Sequence, residues 1–263
     1  MNLHRILSLT MRHLYLYKRS LPRLMEIFYW PFLDLLVWGF VALYLARYKE
    51  SLPAFISFLI GALILWDILF RSQQGIAISF FEDVWSRNLL NLFMSPLKPS
   101  EYLVTLMVVS IVKLLAASTV LVLLAWLIYS FNVFIIGLSL IPLVFNLIIM
   151  GWSIGIVTIA LIMRFGQETE VLAWGLAFLF QPVSAVFYPV SVLPPFLQSI
   201  ARFVPSSHVF EGMRAVIAGG LFPLHHLLWA AGLNCLYLTG AIFFFAWNFR
   251  VVKEKGLLAK TGE

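Results

Sequence analysis

YLVTLMVVSIVKLLAASTVLVLLAWLIY, residues 102–129, carries a single charged side chain, Lys113. A helix rises 1.5 Å per residue and the hydrocarbon of a bilayer is about 30 Å thick, so about 20 apolar residues cross it. Five further stretches of this kind, 27–46, 53–70, 133–162, 171–192 and 224–249, fill most of the chain. Each reads as a helix, because in lipid every backbone donor and acceptor must be bonded within its own segment. The whole chain is 62% hydrophobic and 11% charged, against about 45–50% and about 25% in soluble domains. Six spans in 263 residues leave no room for a large soluble domain. The expected fold is an all-α, polytopic membrane protein with six transmembrane helices.

The net charge is +6, and the basic residues flank the spans, which points to membrane orientation and not to nucleic acid. With the N-terminus in the cytoplasm, thirteen of the 18 Lys and Arg residues fall inside, and only Arg47, Lys49, Arg202 and Arg214 fall outside. Both termini are therefore expected to be cytoplasmic. Met1 to Arg23 is too charged to contain the apolar core of a signal peptide. The lone cysteine, Cys235, excludes an internal disulfide and a cysteine metal site. Residues 3–21 place Leu3, Ile6, Leu7, Leu14 and Leu21 on one helical face, with Arg5, Arg12 and Arg19 opposite. That pattern predicts an amphipathic helix on the membrane surface. The chain divides into this interface helix (1–23), the transmembrane domain (24–250) and a cytoplasmic tail (251–263).

Two connections are long. Residues 71–100 are expected in the cytoplasm and contain the helical stretch FFEDVWSRNLLNLF, closed by Pro96 and Pro99. Residues 193–223 are expected on the far side. There Pro194 and Pro195 stop the fifth span, and Phe196, Leu197, Ile200 and Phe203 form an apolar stripe too short to cross. Pro205 breaks the stripe, and Ser206 and Ser207 can cap a second short helix bearing His208, Glu211 and Arg214. The pattern predicts a re-entrant outer helical hairpin before the last span; a plain loop on the lipid surface is the alternative.

This region resembles the signature of the ABC-type-2 permease family, the membrane subunits of type-2 ABC exporters. The matching residues are Tyr188, Pro189, Leu193, Pro194, Leu197, Pro205, Glu211 and Arg214. The resemblance implies a subunit that pairs with a second permease, identical or not, and docks on a cytoplasmic ABC ATPase. This chain has no GxxxxGKS/T phosphate loop, so ATP and Mg would be bound by that partner, and no cofactor by this chain. The resemblance puts a coupling helix at about 81–93, where Glu82, Asp83 and Arg87 would meet the ATPase while Trp85, Leu89, Leu90 and Leu92 pack. Related permeases often carry an acid near Leu90–Asn91; here Asn91 shifts any acidic contact to Glu82 or Asp83. It also implies that the second and fifth spans line the cargo path, making Phe58, Trp66, Phe178, Gln181 and Phe187 candidate contacts with an amphiphilic or lipid-linked cargo. A bacterial or archaeal inner membrane fits this layout.

Asp34, Asp67 and Lys113 lie within spans, where a lone charge costs at least about 2.5–3.5 kcal/mol. All three fall in the cytoplasmic half and are expected to form one network, either a structural staple or an ion path. An ion-gradient carrier using these charges is therefore a rival to the ATP-driven permease. His208 with Glu211 raises a lipid-acting enzyme as another rival, and a non-transporting assembly factor is a third. Two such side chains do not make a metal site, and no metal is expected.

Overall fold

The computed structural model describes residues 1–46, 53–219 and 224–256; among these every regular element is helical. The order is α1 (Leu3–Lys18), α2 (Leu21–Ala46), α3 (Pro53–Trp85), α4 (Leu89–Met94), α5 (Pro99–Tyr129), α6 (Leu140–Phe165), α7 (Glu170–Phe180), α8 (Pro195–Ala201), α9 (Pro205–Ile217) and α10 (Leu224–Glu254). Four helices among the described residues are long and apolar enough to cross a bilayer: Leu21–Tyr44, Pro99–Tyr129, Gly137–Phe165 and Leu224–Glu254.

The other two expected spans differ from their sequence reading. The helix expected over 171–192 ends at Phe180, because Pro182 withholds a backbone donor and the chain turns through a left-handed Ala185 at φ 52°. The helix beginning at Pro53 does not stop near residue 70 but runs on to Trp85. At 1.5 Å per residue its 33 residues reach about 50 Å. The stretch 71–84, expected in a cytoplasmic connection, is buried throughout, because α5, α6 and α7 all pack on α3.

Small residues permit that packing. A Cβ on Gly151 of α6 would lie 2.5 Å from the Leu69 carbonyl oxygen, and one on Gly155 would lie 3.0 Å from that of Gln73. Gly75 of α3 meets Ser110 of α5 just as closely, at 2.7 Å from its Cα. Such approach of backbones is how membrane helices associate without a hydrophobic force between them. Polar groups in the seam bond across it: Ser110 Oγ donates to the Ser72 carbonyl at 3.0 Å, and Gln73 Nε2 donates to the Ala173 carbonyl at 2.9 Å. Asn234 Nδ2 of α10 donates to both the carbonyl and the side-chain oxygen of Asn146 on α6, each at 2.9 Å.

α1 lies against the end of α3 and the start of α5. Asn2 caps it by accepting from His4 N at 3.0 Å. Its buried face is Ile6, Leu9, Thr10, His13 and Tyr17, whereas Leu3 and Leu7 of the expected apolar face are exposed. The helix thus has two apolar sides, one closed by protein and one open. Glu101 joins it to α5: one carboxylate oxygen accepts from Lys98 N at 3.0 Å, the other from Asn2 N at 2.7 Å.

Candidate functional site

Three constellations lie along α3. At its C-terminal end, Glu82 and Asp83 turn inward toward α1. Asp83 is fully buried; it accepts from Tyr102 Oη at 2.8 Å and pairs with Arg12 at 2.8 Å. His13 sits between the two acids, with Nδ1 3.8 Å from Glu82 and Nε2 3.5 Å from Asp83. Arg23, at the start of α2, approaches Glu82 at 3.5 Å. Burial acts to lower the His13 pKa, but Asp83 and Glu82 outweigh it and hold it above its ordinary value. Burial likewise pushes both acids up, and it is outweighed, chiefly by His13, so both stay below the usual carboxylate range. The arrangement is an ionic latch that pins α1 to α3.

Outward docking by Glu82 and Asp83, expected from the sequence, does not match their inward placement. Leu89 also packs inward, in the core with Phe81, Val84 and Tyr102. The surface of this segment is formed instead by Trp85, Arg87, Leu90 and Met94. Arg87 occupies the left-handed turn that separates α3 from α4, at φ 51°. His13 was missed in the sequence. Its only signal was its position seven residues after Ile6 and four before Tyr17, on one helical face.

Midway along α3 opens a cavity of about 460 Å³. Four of the five expected path residues, Trp66, Phe178, Gln181 and Phe187, line it, together with Trp38 and Phe70. Trp38 stacks on Phe187 with centroids 5.4 Å apart, and Phe178 lies 4.9 Å from Phe70. Phe58 is not in this wall; it lies under the Arg214 guanidinium, 5.4 Å away. Asp34 and Asp67 both line the cavity, and Arg71 donates to Asp67 at 3.2 Å. Lys113 goes elsewhere, bonding Tyr17 Oη and, at 2.8 Å, Ser79 Oγ. The three charges expected in one network are thus divided between the cavity and the latch region.

Beyond the cavity the signature residues form a clamp. Glu211 on α9 accepts from Val190 N at 2.7 Å, just after Pro189, and pairs with Arg214 at 3.0 Å. Arg214 also donates to the Ala185 carbonyl at 2.8 Å, in the left-handed turn after α7. Tyr188 Oη closes the same turn by donating to the Pro182 carbonyl at 2.8 Å. Leu193 is buried, and Pro194 and Pro195 start α8. Pro205 opens α9, whose Pro205, Ser206, Ser207, Val209 and Phe210 are buried against α6 and α10. The apolar stripe faces outward at Phe196 and Ile200 of α8 and at Phe203 just past its end. His208 Nδ1 meets His226 Nδ1 at 3.2 Å, and no cluster of three potential metal ligands occurs among the described residues.

Residues 38–248 match the family described as ABC-2 family transporter protein. No curated protein matches the chain. The matched region contains both acids of the latch, the complete clamp and the cavity wall except Pro31, Asp34 and Leu35.

Proposed function

The chain belongs to the ABC-2 transporter family as a membrane component, and from that premise we propose that it is the permease half of an ATP-driven exporter. It works with a separate cytoplasmic ABC ATPase and a second permease subunit in the inner membrane, with both termini cytoplasmic. In this reading α3, and α7 together with the irregular segment 181–189 that follows it, complete six spans, and α8 and α9 dip into the outer leaflet. The tucked, buried face of α9 supports that placement, since irregular backbone survives at membrane depth only against protein or a cavity.

The observation that carries the mechanism is the continuity of α3. One helix of about 50 Å holds the latch at Glu82 and Asp83, the cavity wall at Trp66 and Asp67, and Phe58 under the outer clamp. ATP-driven closure of the ATPases pushes on the exposed face of Trp85, Arg87, Leu90 and Met94. The latch makes α1 and α3 move as one body, and α3 carries the movement to the cavity and the clamp. The charge division disfavours the ion-driven rival, because its relay needs Lys113 beside Asp34 and Asp67.

The test is photo-crosslinking in native membranes from a probe introduced in place of Arg87. An adduct with an ATP-binding polypeptide is expected. Adducts with lipid alone, at Arg87 and again at Leu90 and Met94, would remove the docking face from the account.

A further inference from the structure

The wall of the cavity has a charge asymmetry. Two carboxylates, Asp34 and Asp67, line it, while no lysine, arginine or histidine does among the described residues. The nearby cation, Arg71, is committed to Asp67 Oδ1 at 3.2 Å. It leaves Asp67 Oδ2 buried without a hydrogen-bond partner, and Asp34 makes no ion pair among the described residues. One Arg serves two acids, and the second carboxyl, Asp34, faces the space with no cation of its own among the described residues. Around it stand aromatic faces, which attract cations through their quadrupoles, more strongly once water is removed. Trp38 and Phe187 are already stacked with their planes 17° apart, and Phe178, also in the wall, packs on Phe70 with centroids 4.9 Å apart. A volume of about 460 Å³ lies within the range of small-molecule sites and suits a head group better than a whole lipid.

We propose that this cavity receives the cationic head of an amphiphilic cargo, with Asp34 as its counter-charge and Trp38, Phe178 and Phe187 as its aromatic cage. The inference rests on the permease reading and names the chemical class of its cargo. An anionic head would meet the uncompensated carboxylate and be repelled. A neutral one would leave Asp34 and Asp67 Oδ2 without the partner that the geometry lacks.

The test uses tetraphenylphosphonium and tetraphenylborate, hydrophobic ions of matched shape and opposite charge. Binding to the full chain in lipid nanodiscs is read from tryptophan fluorescence, and retention of an ATPase subunit is scored on the same native preparation. The cation is expected to bind at least about tenfold more tightly than the anion, and Asp34→Asn to lose about tenfold for the cation only. Asp34→Glu restores cation binding, which separates lost charge from lost fold. Equal binding of the two ions, or an unchanged cation affinity in Asp34→Asn, would overturn the proposal. If the ATPase is retained in that case, the permease reading stands and only the cargo class falls. If no ATPase is retained, the permease reading falls whichever ion binds.

Discussion

Replacing Asp83 by asparagine keeps the side chain's shape and removes its charge. Three contacts change. The pair with Arg12 contributes little, at most about 1 kcal/mol, because Arg12 is one-third exposed. The amide oxygen can still accept from Tyr102, but the bond loses its charge assistance, a difference of about 1 kcal/mol. The larger effect falls on His13, fully buried and left with one carboxylate instead of two. Stranding a buried charge costs about 3–5 kcal/mol, and Glu82 at 3.8 Å offsets part of that. A loss of about 3 kcal/mol in the hold on α1 follows, roughly a hundredfold in its opening equilibrium. Amide hydrogen exchange in nanodiscs reads it directly. Protection over Leu9–Tyr17 should fall about a hundredfold, while α6 and α10 stay unchanged. If α1 stays within about threefold of wild type, its apolar face alone holds it and the latch reasoning fails.

The same latch has a pH window. The His13 pKa is raised above 6.5, so its contribution is complete below 6.5 and is lost as pH rises through the raised value. Those of Glu82 and Asp83 are lowered from 4.5 and 3.8, so their contribution is complete above those values and lost as pH falls through the lowered ones. Protection of α1 should therefore peak between 4.5 and 6.5 and decline on both sides; a profile with no alkaline decline would contradict the role of His13. Gly151→Leu should prevent α3 and α6 from closing, since even a Cβ would meet the Leu69 carbonyl at 2.5 Å. The expected readout is loss of a folded, monodisperse protein in detergent, whereas Gly175→Ala, with open space at its Cβ, should be tolerated. Arg214→Lys should not replace arginine, because one ammonium cannot reproduce a planar fork spanning Glu211 and the Ala185 carbonyl. A cost of about 1–3 kcal/mol should appear in thermal unfolding, with faster labelling of a cysteine placed at Ser191. Full stability in Arg214→Lys would mean that the clamp is held by Glu211 and Val190 alone.

The apolar spans were legible because hydropathy and length are local properties, and four of them match the helices at 21–44, 99–129, 137–165 and 224–254. The end of α7 was less legible: Pro182 lay in plain view, yet the turn it starts is fixed by Arg214, 29 residues away from Ala185. The length of α3 was hidden for a similar reason. RSQQG reads as a polar exit from the membrane, whereas Gln73 and Ser72 are bonded across the helix seams by Ala173 and Ser110. Glu82 and Asp83 stood out in the sequence as charges beside apolar positions, but the direction they face did not. Their partners Arg12 and His13 lie far off along the chain, and apolar spacing within one segment cannot name a tertiary partner. Trp66 and Phe178 meet at the cavity because aromatics on two helices facing one space need only the correct helix face, whereas Gln181 and Phe187 reach it through the turn after α7.

The proposed permease is one part of an ATP-driven machine whose engine is another polypeptide. The most direct measurement is isolation from native membranes in mild detergent, with identification of the bound chains and assay of ATP hydrolysis. An ABC ATPase is expected in the isolated assembly, released when Trp85, Arg87, Leu90 and Met94 are replaced together. A chain that purifies alone in good yield, without ATPase activity, would contradict it.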